Sequence, residues 1–364
     1  MKQKPKFIIS KEVALSQVKI LKEIFDNVSY SYKTNPTIGN ILIENNSTQF
    51  SIISINELQQ FMQTKQAKKQ KDINKKIWYF TIALDEEDLD ILFNKYKIEN
   101  FVVDNKKDLN ILTNYIQKNN KKINLLLRMK LRENTIFTGK HYVFGMKVKE
   151  IQEYIPKLKA NSHIKKLGIH FHRKTQNVSE WSLKQEVAHS LGEKYLKQID
   201  IMNLGGGLPA NYKNIHDKAM ESIWIKIKEL KDYIKEFNIE MFIEPGRFIA
   251  APSVKLESNI IAINENTCFL NISIFNGTLD TVIANIKLII EEEIETENRI
   301  DNKNSQRYIL KGCTPDSSDI LRYSVYLDNP KVGDKITFLN CGAYTYTTNF
   351  CALEKIKEEI IDNF

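Results

Sequence analysis

The residues able to do chemistry are few and widely separated along the chain. Lys33 lies in Val28-Ser29-Tyr30-Ser31-Tyr32-Lys33-Thr34-Asn35-Pro36, where alternating apolar and small residues read as a buried strand that Asn35-Pro36 stops. A lysine at a strand end reads in two ways. Either its stem packs and its ammonium snorkels to solvent, or burial lowers its pKa and makes the amine a nucleophile toward carbonyl carbons. Gly205-Gly206-Gly207 is a flexible turn or a place where backbone N–H groups can approach an anion closely, with no side chain in the way. Glu244-Pro245-Gly246-Arg247 follows an apolar run. Its carboxylate is a satisfied polar residue or the partner of a cationic ring nitrogen, and Arg247 makes a surface ion pair or a charge-assisted contact to phosphate. His170 and His172, two apart on a strand, point to one face. No third ligand has matching spacing, so packed or stacking imidazoles fit better than a metal pair.

The elements that must position these residues alternate in type. After a strand-like Phe7–Ser10 and a helical Glu12–Phe25, the stretch before Lys33 begins a series of strands: Phe50–Ile53, Ile77–Ile82, Asn100–Val103, Ile123–Leu127, Leu167–Phe171, Ile199–Leu204 and Glu240–Ile243. Helical stretches separate them. Eight strands apolar on both faces, joined by helical crossovers, predict a parallel sheet closed as a (β/α)8 barrel, with an open doubly wound sheet as the competitor. Lys33, Ser54, Arg128, His170-Phe171-His172, Gly205–Gly207 and Glu244–Arg247 then all fall at carboxyl ends of strands, where barrel active sites lie. Beyond about Ala250 the texture changes to strand-like Val254–Ala262, Cys268–Phe275, Tyr308–Leu310, Lys335–Leu339 and Tyr344–Thr347, separated by turn signals. The expected division is 1–10 as a strand joining a β domain, 11–250 as the barrel and 251–364 as the β domain.

Composition bounds the classes of function. The 364 residues are 42% hydrophobic and 27% charged, an ordinary globular balance with room for two domains. The net charge of +8 raises a nucleic-acid reading. Its lysines, however, are scattered along helical stretches without an interleaved aromatic stripe, and suit solvated faces or an anionic substrate better. Cys268, Cys313, Cys341 and Cys351 show no ligand spacing, which fits a reducing cytoplasm. Phe7-Ile8-Ile9 is too short for a signal peptide, and no run is long enough to span a membrane.

Tyr32-Lys33-Thr34-Asn35-Pro36, Ser54 to Glu57, Gly168-Ile169-His170-Phe171-His172, Gly205–Gly207, Glu244-Pro245-Gly246-Arg247 and Cys341-Gly342-Ala343-Tyr344 occur in this order over nearly the whole chain. Together they resemble the fold-type III pyridoxal-phosphate decarboxylases, the ornithine/diaminopimelate decarboxylase group. That resemblance implies a (β/α)8 TIM barrel with an alanine-racemase-like C-terminal β domain, pyridoxal 5'-phosphate as cofactor, and a homodimer with shared active sites. Lys33 would bind the cofactor covalently, His172 stack on its ring and Glu244 pair with its nitrogen. Gly206, Gly207, Gly246, Arg247 and Tyr344 would hold the phosphate region, with Thr175 where the family usually has serine. Glu244 also argues against the alanine-racemase relatives, which place an arginine at the ring nitrogen.

Two departures bear on the substrate and the proton donor. The family usually reads Gly-Pro-Thr-Cys-Asp in a loop that reaches the partner's site; here Gly312-Cys313-Thr314-Pro315-Asp316 puts proline in the cysteine position. The donor is then Cys313 after a loop shift, Lys33, or water; alternatively Cys313 is simply a small buried residue. After His172, Arg173-Lys174 stands in place of small residues. These cations point to solvent, support the phosphate, or receive extra carboxylates of a substrate. Asp316 matches an acidic family position for a distal amine, with Asp319 as a second helper. The expected activity is decarboxylation of an ornithine-like amino acid carrying an acidic appendage, a citryl-diamino acid of citrate-siderophore assembly. Free ornithine, lysine, diaminopimelate or carboxynorspermidine (polyamine or lysine metabolism) are the alternatives, and a catalytically inactive, decarboxylase-like regulatory protein is the alternative of another class.

Overall fold

The computed structural model describes residues 3–131, 144–173, 181–215, 218–295, 305–345 and 347–364. Strand β1 (Lys6–Ser10) comes first, followed by a helix over Lys11–Ile24. Eight strands then alternate with helical segments: β2 (Asn27–Ser31), β3 (Gln49–Ile52), β4 (Ile77–Thr81), β5 (Asn100–Val103), β6 (Ile123–Arg128), β7 (Ile164–His170), β8 (Ile201–Asn203) and β9 (Glu240–Ile243). They pair in parallel in chain order, and β9 returns to β2 through Asn27↔Phe242 and Val28↔Ile243, closing a barrel. The barrel is the architecture the apolar strands imply. All four residues of β5 are buried, because a parallel strand is covered on both faces. Trp78, Val102, Leu126, Ile201 and Phe242 come from five different strands yet form one buried cluster, as side chains directed into a closed ring can.

The strand ends are built as turns into helices. Asn35 is the N-cap of the helix over Pro36–Glu44, its side chain accepting from the N–H groups of Thr37 (3.0 Å) and Ile38 (3.1 Å), with Pro36 at the first helical position. Ser54 caps the helix over Ile55–Gln63: its hydroxyl accepts from Glu57 N–H at 3.1 Å, and Glu57 Oε2 accepts from Ile53 N–H at 2.8 Å. Thus Asn-Pro and Ser-x-x-Glu do local work, ending a strand and starting a helix within a few residues.

The chain divides into two compact units. A barrel unit comprises Gln17–Pro209 and Lys218–Gly246, and a sheet unit comprises Met1–Ser16, Ala210–Asp217 and Arg247–Phe364. The sheet unit thus takes in residues 11–16 and 210–217 and Arg247–Ala250, which the sequence assigns to the barrel. It holds β1 with β10 (Val254–Asn264), β11 (Thr267–Leu270), β12 (Ile289–Ile290), β13 (Ser305–Lys311), β14 (Ile320–Asp328), β15 (Lys335–Leu339) and β16 (Lys357–Ile361). Six run in the order β12-β15-β10-β11-β13-β14; β1 pairs antiparallel with β10 and parallel with β16.

Several local expectations change here. β12, β14 and β16 are strands where the sequence pattern predicts none. In β14 the pattern of buried and exposed residues is irregular, and its pairing with β13 shifts register, which hides the alternation. β16 begins Lys-Glu-Glu, and four of its five residues are exposed. The described residues of Tyr344–Thr347 lie outside any strand, and Tyr344 has φ 54°, a left-handed conformation that extended chain excludes. No helix among the described residues is long and apolar enough to cross a membrane.

Candidate active site

In the barrel unit, the chemistry-bearing residues gather at the carboxyl ends of the strands. β2 stops at Ser31, and Tyr32–Thr34 form one 3-10 turn before Asn35 starts the next helix. Tyr32 and Thr34 are buried while Lys33 is exposed, so the turn presents the amine and packs its two neighbours. Ser31 N–H donates to Pro245 O at 3.2 Å, tying this turn to the segment after β9. Gly246 is needed beside it: a Cβ there would fall 2.1 Å from Thr34 Oγ1. Glu57 feels Lys33 as well. Burial pushes the Glu57 carboxyl up, while the Ile53 N–H and the Lys33 charge pull it back.

Strand register sets the next group. Arg128, His170 and Asn203 are consecutive partners across β6, β7 and β8. Glu244 follows β9, 4% exposed, and its N–H donates to Gly205 O at 2.8 Å. Asn203 Nδ2 donates to Glu244 Oε1 at 2.8 Å, and His170 Nε2 lies 3.1 Å from Glu244 Oε2. The Asn203 amide has a fixed orientation, because its Oδ1 accepts the N–H of Gly205 at 2.9 Å. Burial pushes the pKa of His170 down; Glu244 opposes this shift and Arg128 adds to it.

His172 stands differently. Its residue surface is exposed, and its Nδ1 accepts the N–H of Gly206 at 3.0 Å, which leaves a neutral ring its proton on Nε2. Desolvation of the ring among the strand ends, with Arg128, His170 and Lys33 around it, pushes its pKa well below the ordinary range. The glycines are required by geometry. Gly205 and Gly207 have φ 63° and 110°, and a Cβ on Gly206 would fall 2.9 Å from His172 Cε1. The two histidines therefore have separate partners, a carboxylate and a backbone amide.

Arg173 is buried, and its guanidinium pairs with Glu186 on the helix over Leu183–Ser190. A cation expected beside a substrate is thus engaged by the protein's own carboxylate. Lys174 and Thr175 lie outside the described residues.

In the sheet unit, Arg247 is 4% exposed and pairs with both oxygens of Asp280, at 2.5 and 3.0 Å. It also donates to Tyr212 Oη at 2.9 Å and lies over the Tyr344 ring, 5.1 Å from its centre. Burial works against the charge, but Asp280 and Tyr212 outweigh it, and the guanidinium stays protonated. The loop from Gly312 to Asp319 is wound around one carboxylate. Asp319, 1% exposed, accepts from Ile274 N–H at 2.9 Å on Oδ1, and from Thr314 N–H at 3.1 Å and Thr314 Oγ1 at 2.7 Å on Oδ2. A Cβ on Gly312 would fall 2.2 Å from that carboxylate. Cys313 is exposed, its N–H bound to Ile272 O at 2.9 Å, and partial burial of its sulfur with the nearby Asp319 charge pushes the thiol pKa up. Asp316 is half-buried and accepts from Ser318 N–H (2.8 Å) and Oγ (2.5 Å), which lowers its pKa.

Sequence reasoning missed Asn203, Asp280, Tyr212 and Glu186. Asn203 carried a signal, a polar residue at the end of an apolar strand. Asp280, Tyr212 and Glu186 sit in ordinary polar surroundings, and only their partners distinguish them.

A family profile described as "Pyridoxal-dependent decarboxylase, pyridoxal binding domain" matches residues 13–251. A carboxynorspermidine/carboxyspermidine decarboxylase of Campylobacter jejuni is 24% identical over 195 residues, 50% of this chain and 49% of that protein. A diaminopimelate decarboxylase of Bacillus subtilis is 22% identical over 279 residues, 70% of this chain and 62% of that protein. The chain therefore spans less than two thirds of the length of these curated relatives. Among solved structures, a lysine/ornithine decarboxylase of Vibrio vulnificus complexed with putrescine superposes with a TM-score of 0.78 at 21% identity, covering 99% of this chain and 95% of that one. A diaminopimelate decarboxylase of Helicobacter pylori complexed with L-lysine gives 0.80 at 19%, covering 99% and 92%. At such identities the structural likeness speaks for the fold. The profile match, which spans the strands carrying Lys33, His172, the three glycines and Glu244, establishes that this chain belongs to the pyridoxal-dependent decarboxylase family.

Proposed function

We propose that this protein is a pyridoxal-phosphate-dependent decarboxylase of an amino acid. The observation that carries the reading is the Glu244 carboxylate. It is buried, held on both oxygens by donors, and set at the same barrel end as Lys33, His172 and the glycine turn. The residues fit the cofactor the family implies. Gly205–Gly207 form a bare backbone that a side chain would obstruct, Lys33 offers an exposed amine, and each oxygen of Glu244 keeps a lone pair beyond its one donor.

Bound there, pyridoxal phosphate would supply an electron sink for the bond that releases carbon dioxide. Lys33 would hold it through its amine. Glu244 would hold a proton at the ring nitrogen, His172 would pack against the ring, and Arg247 and Tyr344 would serve the phosphate. Arg247 would do so as one half of its pair with Asp280. Gly312–Asp319 would complete a second copy's site in a homodimer, with Cys313, whose raised pKa keeps it a thiol, as a proton donor. Asp316, half-buried where Asp319 is fully buried, would meet a distal amine.

For the substrate, the citryl-diamino acid reading rests on extra cations after His172. Arg173 is engaged by Glu186, so Lys174 alone carries that reading. Free diamino acids or carboxynorspermidine are therefore a second reading, in line with the names of the relatives. Carbon dioxide release over a panel of free and citryl-conjugated diamino acids tests both. Turnover of a conjugate alone selects the first, and turnover of free substrates alone removes it. A visible absorption band, bleached by borohydride and absent in Lys33→Ala, separates an enzyme from an inactive regulatory relative. No band in the intact protein would remove the cofactor reading altogether.

A further inference from the structure

His170 is 1% exposed, it has no part in the roles proposed above, and its Nδ1 is buried with no hydrogen-bond partner. Its other nitrogen faces Glu244 Oε2 at 3.1 Å. Two protonation states are compatible with that contact, a neutral ring with its proton on Nε2 and an imidazolium. Burial disfavours the imidazolium, and so does Arg128, the register partner of His170 on the neighbouring strand. The neutral form explains the bare Nδ1: with the one proton on Nε2, nothing remains there to donate. The Phe80 ring, edge-on at 5.2 Å between centres, adds an apolar neighbour.

A neutral donor has a consequence that a cationic one lacks. An arginine or a protonated histidine would direct the carboxylate and also cancel its charge, as Arg247 does for Asp280. His170 and Asn203 direct it and leave the charge in place. We infer that His170 is a positioning residue whose Nε2–H, together with the Asn203 amide, fixes the Glu244 carboxylate to receive a cationic ring nitrogen. This rests on the cofactor reading above.

Glutamine can place a donor near the position of histidine Nε2, and asparagine near that of Nδ1. His170→Asn should therefore weaken pyridoxal phosphate binding about tenfold to a hundredfold and shift the absorption of the bound cofactor. His170→Gln should restore both toward wild type. Binding is read by titration of the apoprotein, with unfolding midpoints of the apoproteins as the control for folding. Wild-type affinity and spectrum in His170→Asn would overturn the inference. So would equal loss in both variants with unchanged midpoints. Histidine-selective nitrogen-15 spectra of the wild-type holoenzyme decide the point even where a variant does not fold. A proton on Nε2 and a bare Nδ1 at His170 are expected; a proton on Nδ1 defeats the proposal. Failure of the wild-type protein to bind the cofactor at all would instead overturn the proposed function.

Discussion

Glu244 in the barrel unit and Asp319 in the sheet unit are both buried carboxylates held by hydrogen bonds, yet they are built for opposite purposes. Asp319 receives three donors, all from within its own unit, and two of them belong to Thr314 of the loop it organises. Glu244 receives one donor on each oxygen, from two strands of the barrel. A carboxylate has about four lone-pair sites. Asp319 spends most of its capacity on folding a loop, whereas Glu244 keeps capacity in reserve at the mouth of a barrel. The difference between a carboxylate that shapes the chain and one that can meet a ligand lies in what its neighbours leave unsatisfied.

The largest effect expected on the barrel side is that of Lys33→Ala: roughly a thousandfold or greater loss of decarboxylation, with the visible band gone and folding intact by circular dichroism. Retained turnover would remove Lys33 from the chemistry. Glu244→Gln should cost on the order of a hundredfold or more in kcat with a small change in unfolding free energy. If it behaves instead like a stability mutant, the contrast with Asp319 collapses.

Asp319→Ala should do the reverse. It leaves three donors short of their acceptor and should lower the unfolding free energy by about 2–4 kcal/mol, measured by urea titration, while the isolated cofactor affinity changes little. A neutral outcome there would mean that the loop does not need its carboxylate.

The histidines add a pH dependence whose sign is fixed. The pKa of His170 in the folded protein lies below its ordinary value of 6.5. Below pH 6.5 the unfolded chain takes up a proton that the folded chain refuses, so acid removes stability from about pH 6.5 down to the folded pKa. The slope from this residue is at most about 1.4 kcal/mol per pH unit. Urea midpoints at pH 7 and pH 5, in wild type and His170→Gln, read it as the part of the acid loss that the variant lacks. Last, Thr64→Ala removes the N-cap of the short helix over Lys65–Lys69, where the Thr64 hydroxyl accepts from Ala67 N–H at 3.1 Å. It should cost about 1 kcal/mol without changing kcat, and so calibrates what a purely local defect does.

Much of the barrel was legible because parallel strands buried on both faces must be apolar along their length. Ile123–Leu127 and Asn100–Val103 announce themselves without reference to any partner. Lys33, the glycines and Glu244 were legible because each interrupts such a run with a residue the interior does not ordinarily accept. The sheet unit was harder to read. β16 hides among charged residues because four of its five side chains are exposed, and Tyr344 takes a left-handed turn where its neighbours suggest a strand.

What the sequence determined by itself is therefore the set of interruptions and the period of the elements around them, since propensity, burial and turn chemistry act over a few residues. What only the tertiary structure decided is pairing. That His170 serves Glu244, that Arg173 is taken by Glu186, that Asp280 balances Arg247 and that Asp319 winds its loop depend on residues far apart in the chain or on backbone paths between them. A side chain's type fixes what it can donate or accept. The folded backbone alone fixes which partner comes within three ångströms, and with it whether a charge is used up or left for chemistry.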